Sequence, residues 1–366
     1  AHDAAMNDRS ALRLSRLLLA VGDWPALRRH ATAWLETAAD ASTRNALEVV
    51  LASGRFWLAG DGGAVDDLIG LAERIDHGVD ARSTTAAAAA MAVSAGDVRL
   101  GVELAESTVG SDAARSSPDS QALMALRIGY AYQGRPETAL ALLDSIDIDR
   151  AGASRRLAEW KLPVLAMAGR VEETRRAFVE AIAGATSSSS PDRMSLVSYT
   201  LGSTHLDFGR VDDAIPLLDE AARWARLAGQ PGVRRWVALA RAYGSALIGD
   251  VPRAESYLAE AELLGDHPAR LNESYRWRAR AWTVHQRGDF ETARALLLEA
   301  AAGFGGAGNV LEQLECLVDL ARLGGIPDAV REVRRLDDAA IEGQFLTAQV
   351  AFLQAIGSGS VPQQLA

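Results

Sequence analysis

Cysteine occurs once in this 366-residue chain, at Cys316, and lysine once, at Lys161. A single thiol excludes an internal disulfide and suits a reducing, cytoplasmic compartment. Lys161 lies between Trp160 and Leu162, so there is no glycine-lysine-serine/threonine loop to cradle a nucleoside triphosphate. No apolar run reaches the roughly 18 residues of a membrane span; the longest, Ala86 to Val93, is short and alanine-rich. Basic charge is also scarce: 38 Lys and Arg against 48 Asp and Glu leave a net charge of −10, so direct nucleic-acid binding by this stretch is not expected. The histidines, His2, His30, His77, His205, His267 and His285, have no H-x-x-x-H spacing, which argues against a zinc site. There is no G-x-S-x-G elbow either. The expectation is a protein that is not an enzyme, with no catalytic residues, no metal, no cofactor and no membrane insertion.

What the chain does have is a recurring glycine. Gly22, Gly60, Gly96, Gly134, Gly169, Gly209, Gly249, Gly288 and Gly324 each separate two apolar helical stretches, at intervals of 38, 36, 38, 35, 40, 40, 39 and 36 residues. Five residues after the glycine stand Ala139, Ala214, Ala254, Ala293 and Ala329; nine after it stand Leu143, Phe178, Leu218, Leu258, Leu297 and Val333. A small and a large residue four apart share one helix face, where a neighbouring hairpin can approach closely. Pro25, Pro136, Pro252 and Pro327 fall in the first turn of the second helix, where a missing N–H is harmless. Pro163 and Pro216 are predicted inside helices, as kinks.

This pattern resembles the tetratricopeptide repeat (TPR). The best matches are Gly134-Ala139-Leu143 with Tyr130, Gly209-Ala214-Leu218 with Gly202, and Gly288-Ala293-Leu297 with Trp277. The first three units depart from it, with Leu27, Val65 and Gly101 at the small position, and the spacing exceeds the family's roughly 34 residues. The predicted fold is all-α: a TPR-like solenoid, a right-handed superhelix of about nine hairpins forming one domain over residues 1–366. Breaks are expected at 110–119, at 303–308, and at 184–192 with its Ser187 to Ser190 run. The last is a candidate joint between divergent hairpins (1–186) and regular ones (191–357), followed by a polar tail at 358–366 with no capping helix. Residues 1–7 read as the cut end of a longer protein or a short cap. Asp144, Asp147 and Asp149 lack the glycine and glutamate of a calcium loop and read as an exposed linker.

In TPR-like hairpins the first helix lines the concave surface, with inward positions 13, 10, 6, 3 and 2 residues before the turn glycine. This register puts Tyr199, Ser203 and Asp207, then Trp236 and Tyr243, then Tyr275, Arg278, Trp282, His285 and Gln286 on one strip across three consecutive hairpins. Aromatic anchors beside arginine suit a recognition surface, and aromatics with convergent polar groups suit a small-ligand pocket. Trp and Tyr are also ordinary packing residues, and a register error of one residue would turn several into core; both readings stand at this point.

The alanine and arginine richness, the long TPR-like units and the segment from Val330 to Leu353 resemble the helical sensor region of large ATP-binding, LuxR-type transcriptional regulators similar to the maltose regulator. The resemblance implies a non-catalytic regulatory module. Its concave groove would bind a small-molecule, peptide or protein effector, its identity open. The alternative is a constitutive protein–protein scaffold of TPR type, in which the chain forms a homo-oligomer.

Overall fold

The computed structural model describes residues 7–75, 78–109, 119–145, 157–187, 190–336 and 340–358. Among these residues the chain is all helical, and its helices pair into nine hairpins. The pairs are α1 (Asp8–Ala20) with α2 (Trp24–Leu35), α3 (Ala41–Gly54) with α4 (Ala64–Arg74), and α5 (Val79–Ser94) with α6 (Val98–Val109). Next come α7 (Ser120–Tyr132) with α8 (Pro136–Asp144), α9 (Leu157–Met167) with α10 (Val171–Ser187), and α11 (Pro191–Asp207) with α12 (Val211–Leu227). The last three are α13 (Pro231–Leu247) with α14 (Val251–Leu263), α15 (Ser274–Gln286) with α16 (Phe290–Gly306), and α17 (Val310–Arg322) with α18 (Ile326–Val333). A single helix, α19 (Gln344–Gly357), follows.

All nine turn glycines have positive φ, between 73° and 89°. That left-handed step lets the first helix end by folding its last N–H groups back: Gly134 N–H donates to Ala131 O at 3.1 Å and Arg135 N–H to Tyr130 O at 2.8 Å. The aspartate that often follows the glycine caps the second helix. Asp23, Asp97, Asp250 and Asp289 each accept the N–H three residues on, at 3.0 to 3.2 Å. The small positions Ala139, Ala214, Ala254, Ala293 and Ala329 are fully buried, as the close approach of hairpins requires.

The irregular first units are compensated. Leu27 fills the small position of hairpin one, and Gly54 opposite makes room; a Cβ there would lie 2.7 Å from the Leu27 Cδ2. Gly101 goes further than alanine, since a Cβ would lie 2.4 Å from Val93 Cγ2 and 2.8 Å from its backbone N. Hairpin two absorbs extra length in a π-helical turn over Arg55–Ala59. The alanine-rich run Ala86 to Val93 is core, buried throughout.

The 303–308 cluster breaks the chain only at its end: α16 stays helical through Gly306, and the turn to α17 comes at Gly308, with φ +74°. A helix beyond the nine hairpins joins the core: Leu346, Val350 and Leu353 of α19 are buried in the main core cluster. Pro163 and Pro216 both lie inside continuous helices. Near 184–192, Val197 of α11 shares a core cluster with Ala177 and Ala181 of α10. Ser188, Ser189, most of 110–119, Asp147, Asp149, the start 1–6 and the tail from 359 lie outside the described residues.

The array coils until it meets itself. The turn at Gly22 faces Ala228 and Gly229, the turn at Gly60 faces His267 and Pro268, and a Cβ on Gly134 would meet Val310 and Ile341. Thus the turns of the first hairpins rest on connections about five hairpins further along. Carbonyls at the C-terminal ends of first helices, which lack partners within their own helix, accept N–H groups from these connections. Leu271 N–H donates to Ser94 O at 3.0 Å, Glu342 N–H to Gly134 O at 2.8 Å, and Gln344 N–H to Ala168 O at 2.9 Å. His267 Nε2 donates to Trp57 O at 3.2 Å, while its Nδ1 accepts Ala269 N–H. Glu342 caps the N-terminus of α8 through the Thr138 N–H and hydroxyl, at 2.7 and 2.6 Å.

Two glycine substitutions separate turn strain from coil docking. Both Gly209→Ala and Gly169→Ala incur about 1–2 kcal/mol of left-handed strain. At Gly209 a Cβ meets nothing, whereas at Gly169 it lies 2.8 Å from Phe345 N. Gly169→Ala is therefore expected to lower Tm further and to speed hydrogen exchange in α19. Equal losses for the two variants would contradict the docking.

Candidate functional site

Coil closure turns the inward faces of hairpins six to nine into an interior. Its centre is Arg278 on α15. The guanidinium donates from Nε to Asp319 at 3.0 Å, from Nη1 to Glu315 at 3.1 Å and from Nη2 to the Tyr243 hydroxyl at 2.6 Å. It stacks 4.0 Å above the Tyr243 ring and lies 3.7 Å from Asp207. The Tyr243 hydroxyl donates to Asp319 at 2.9 Å, Tyr275 donates to both oxygens of Asp207 at 3.0 and 3.1 Å, and Ser274 donates to Glu315 at 2.7 Å. From the opposite coil, Tyr132 donates to Asn272 Oδ1 at 2.7 Å. Asn272 has the only positive φ of a non-glycine residue among those described, +69°, a conformation asparagine tolerates better than most.

Beside this network lies a cavity of about 40 Å³ lined by Ser203, Asp207, Asn272, Tyr275, Glu312 and Glu315, with Phe208 and Phe345 at its apolar side. Glu312 is 1% exposed; its Oε2 accepts from the Asn309 side-chain amide and its Oε1 has no hydrogen-bond partner, so the Asn272 backbone N–H and Arg278 offset only part of its burial. Burial pushes the Asp207 and Glu312 carboxyls well above their ordinary range, and the Glu315 charge adds to both. Burial raises Glu315 too, against the pull of Arg278 and Ser274. Burial would strip Arg278 of its proton, but Tyr243 and the surrounding carboxylates hold it charged. Burial also raises the Tyr132, Tyr199, Tyr243 and Tyr275 phenols, so they stay protonated. The Cys316 thiol is buried and pushed up, hence unreactive.

Of the ten residues expected on the concave strip, Asp207, Tyr243, Tyr275 and Arg278 meet in this network, and Ser203 joins Asp207 and Tyr275 in lining the cavity. Tyr199 and Trp236 are buried with ring centroids 6.2 Å apart, and Trp236 Nε1 donates to Ala269 O at 3.0 Å. Trp282, His285 and Gln286 lie apart: Arg322 covers the Trp282 ring at 5.0 Å, His285 packs on Phe290, and Gln286 donates to Ala246 O at 2.6 Å. The strip expected as an open groove is thus largely enclosed, because the coil closes over it. The sequence reading missed Glu312, Glu315 and Asp319, which lie one position off the inward register of α17, and also Tyr132 and Asn272. A larger opening of about 440 Å³ follows the first helices of hairpins one to four, beside Asn45, Asp80, Asp119 and Gln121. There Ser42 holds Asp80 and Ser83 holds Asp119. No group of three or more potential metal ligands occurs among the described residues, and no helix of the described residues is long and apolar enough to cross a membrane.

No family model and no curated protein matches the chain. Solved structures do resemble it. One is a Rap protein complexed with competence and sporulation factor: TM-score 0.56, 10% identity, covering 96% of this chain and 97% of that one. Another is the apo form of the quorum sensor NprR from B. thuringiensis: TM-score 0.50, 12% identity, covering 94% and 98%. At such identities the likeness is one of fold. It establishes a TPR-like helical solenoid over nearly the whole chain.

The raised carboxyls give a sign to the pH dependence. Asp207, Glu312 and Glu315 bind protons more tightly folded than unfolded, so their contribution to stability falls as pH rises above the ordinary carboxylate range near pH 4. His267, lowered by burial, works oppositely: its contribution is present above its unfolded value and lost as pH falls through its folded one. Glu312→Gln is expected to flatten the carboxylate slope and to stabilise the protein at pH 7.5, because an amide has no ionisation for burial to suppress, each tenfold change in proton affinity so removed being worth about 1.4 kcal/mol. Denaturation at pH 5 and 7.5 checks this; unchanged or lower stability at pH 7.5 would refute it.

Proposed function

We propose that the chain is a non-catalytic, cytoplasmic sensor module of a bacterial LuxR-type transcriptional regulator, whose effector enters the superhelix interior and changes its closure. The observation that carries this reading is the incompletely satisfied, charged interior at a seam held by few hydrogen bonds. Stability alone would favour an apolar filling there, because a buried ion network seldom repays its desolvation. The cavity admits only part of a ligand, so binding requires the coil to loosen, which couples occupancy to the arrangement of the two coils. Two proteins of similar fold support the same class of function: one was solved with a competence and sporulation factor bound, and the other is a quorum sensor. Asp207, Ser203 and Tyr275 line the proposed site, Tyr243 and Arg278 hold its charges in place, and Tyr199 and Trp236 pack on each other outside the cavity lining. Trp282, His285 and Gln286 would bind only the outer part of a longer effector.

Hydrogen exchange with a panel of short peptides, amines and sugars tests the reading. An effector should alter exchange at the Leu271, Glu342 and Gln344 amides while leaving the middle of α13 unchanged, in a chain that stays monomeric by light scattering. A stable oligomer in which no panel member moves the seam amides would instead favour the constitutive scaffold.

A further inference from the structure

We propose that the interior cavity recognises its ligand through a cationic head, an ammonium or guanidinium on an aliphatic stem, with Asp207, Glu312 and Glu315 as counter-charges. The inference rests on the sensor reading and names the ligand class of that site. Three carboxylates, Asp207, Glu315 and Asp319, pair with one buried cation, Arg278; the other nearby arginines are engaged, buried Arg235 with Glu273 and Arg322, 45% exposed, with Asp319, and none of the three forms an ion pair with Glu312. Asp319 is fully occupied by Arg278, Tyr243 and Arg322. Glu312 is not: its unpartnered oxygen belongs to a nearly fully buried residue that lines the cavity. Beside it, Tyr132 and Tyr275 line the same cavity.

The same surroundings select against other ligands. A carboxylate or phosphate would oppose ionisation of these acids, and a neutral sugar would draw none of them into the charged form. At about 40 Å³ the cavity has room for two or three waters, hence for a head group and not for a whole effector. The only exposed residue of its lining is Phe208, at 37%, which packs edge-on to Phe345 with centroids 5.0 Å apart. A stem leaving by that side passes Met167, Pro163 and these two rings, an apolar collar suited to methylenes. A free alkylamine or alkylguanidine and the side chain of a Lys or Arg in a peptide share this chemistry.

Isothermal titration at pH 7.5 with agmatine, with the peptide Gly-Arg-Gly and with the ureido isostere of each separates the possibilities. At least one cationic probe should bind at least tenfold more tightly than its neutral isostere. Titration in two buffers of different ionisation enthalpy should show proton release on binding, as the carboxyls ionise against the cation. Glu312→Gln should lose tenfold in affinity and release fewer protons, while remaining folded by its melting curve. Preference for agmatine identifies a free metabolite, and preference for Gly-Arg-Gly a peptide side chain. Equal binding of the isosteres, or no binding of either cation, overturns the proposal. The cation claim alone fails if a neutral effector moves the seam amides and binds Glu312→Gln as well as wild type; the sensor reading then stands.

Discussion

The structure depends on one constraint: the solenoid coils tightly enough to touch itself. Carbonyls that a free-standing array would leave to water, at Ser94, Gly134 and Ala168, instead accept N–H groups from chain far along the sequence. Each such bond is worth only about 0.5–1.5 kcal/mol net, but breaking it without solvent access would leave buried backbone groups unpaired. The seam therefore closes cooperatively, and it is joined by apolar burial: a single core cluster runs from Ala52 in hairpin two to Leu353 in α19. An array held only by neighbour-to-neighbour packing would not behave this way.

Closure explains the chemistry of the interior. Removed from water, Arg278 and its carboxylates satisfy one another, through Tyr243, Tyr275 and Ser274 as bridges. The arrangement is nearly complete, and among the residues that line the cavity the unsatisfied side-chain oxygen is on Glu312. That distinguishes it from the N-terminal opening, where serines already hold Asp80 and Asp119. The proposed effector supplies what the fold leaves out.

Local features were legible in the sequence, and those depending on closure were not. The turn glycines, the proline positions and the buried alanines all follow from rules that act within a few residues. Arg278, Tyr243, Tyr275 and Asp207 were placed on the inward strip because helical register alone puts them there. Glu312, Glu315 and Asp319 were overlooked because α17 resembles an ordinary amphipathic helix with its charges toward water; only the second coil makes that face an interior. Tyr132 and Asn272 touch across 140 residues, and no local pattern signals the pair. Hairpin one looked irregular because Leu27 is explained only by Gly54 in the next hairpin.

The central claim is that the coil is closed in solution, and a cross-link across the seam tests it most directly. A Cβ on Gly62 would lie 3.5 Å from the Cβ of Pro268, within the range a disulfide requires, and Gly62 has no left-handed strain. The variant Gly62→Cys/Pro268→Cys should oxidise within the monomer under mild conditions, leaving Cys316 as the only titratable thiol after unfolding. If both new thiols stay free and reactive, the two coils do not meet and the account of the interior fails.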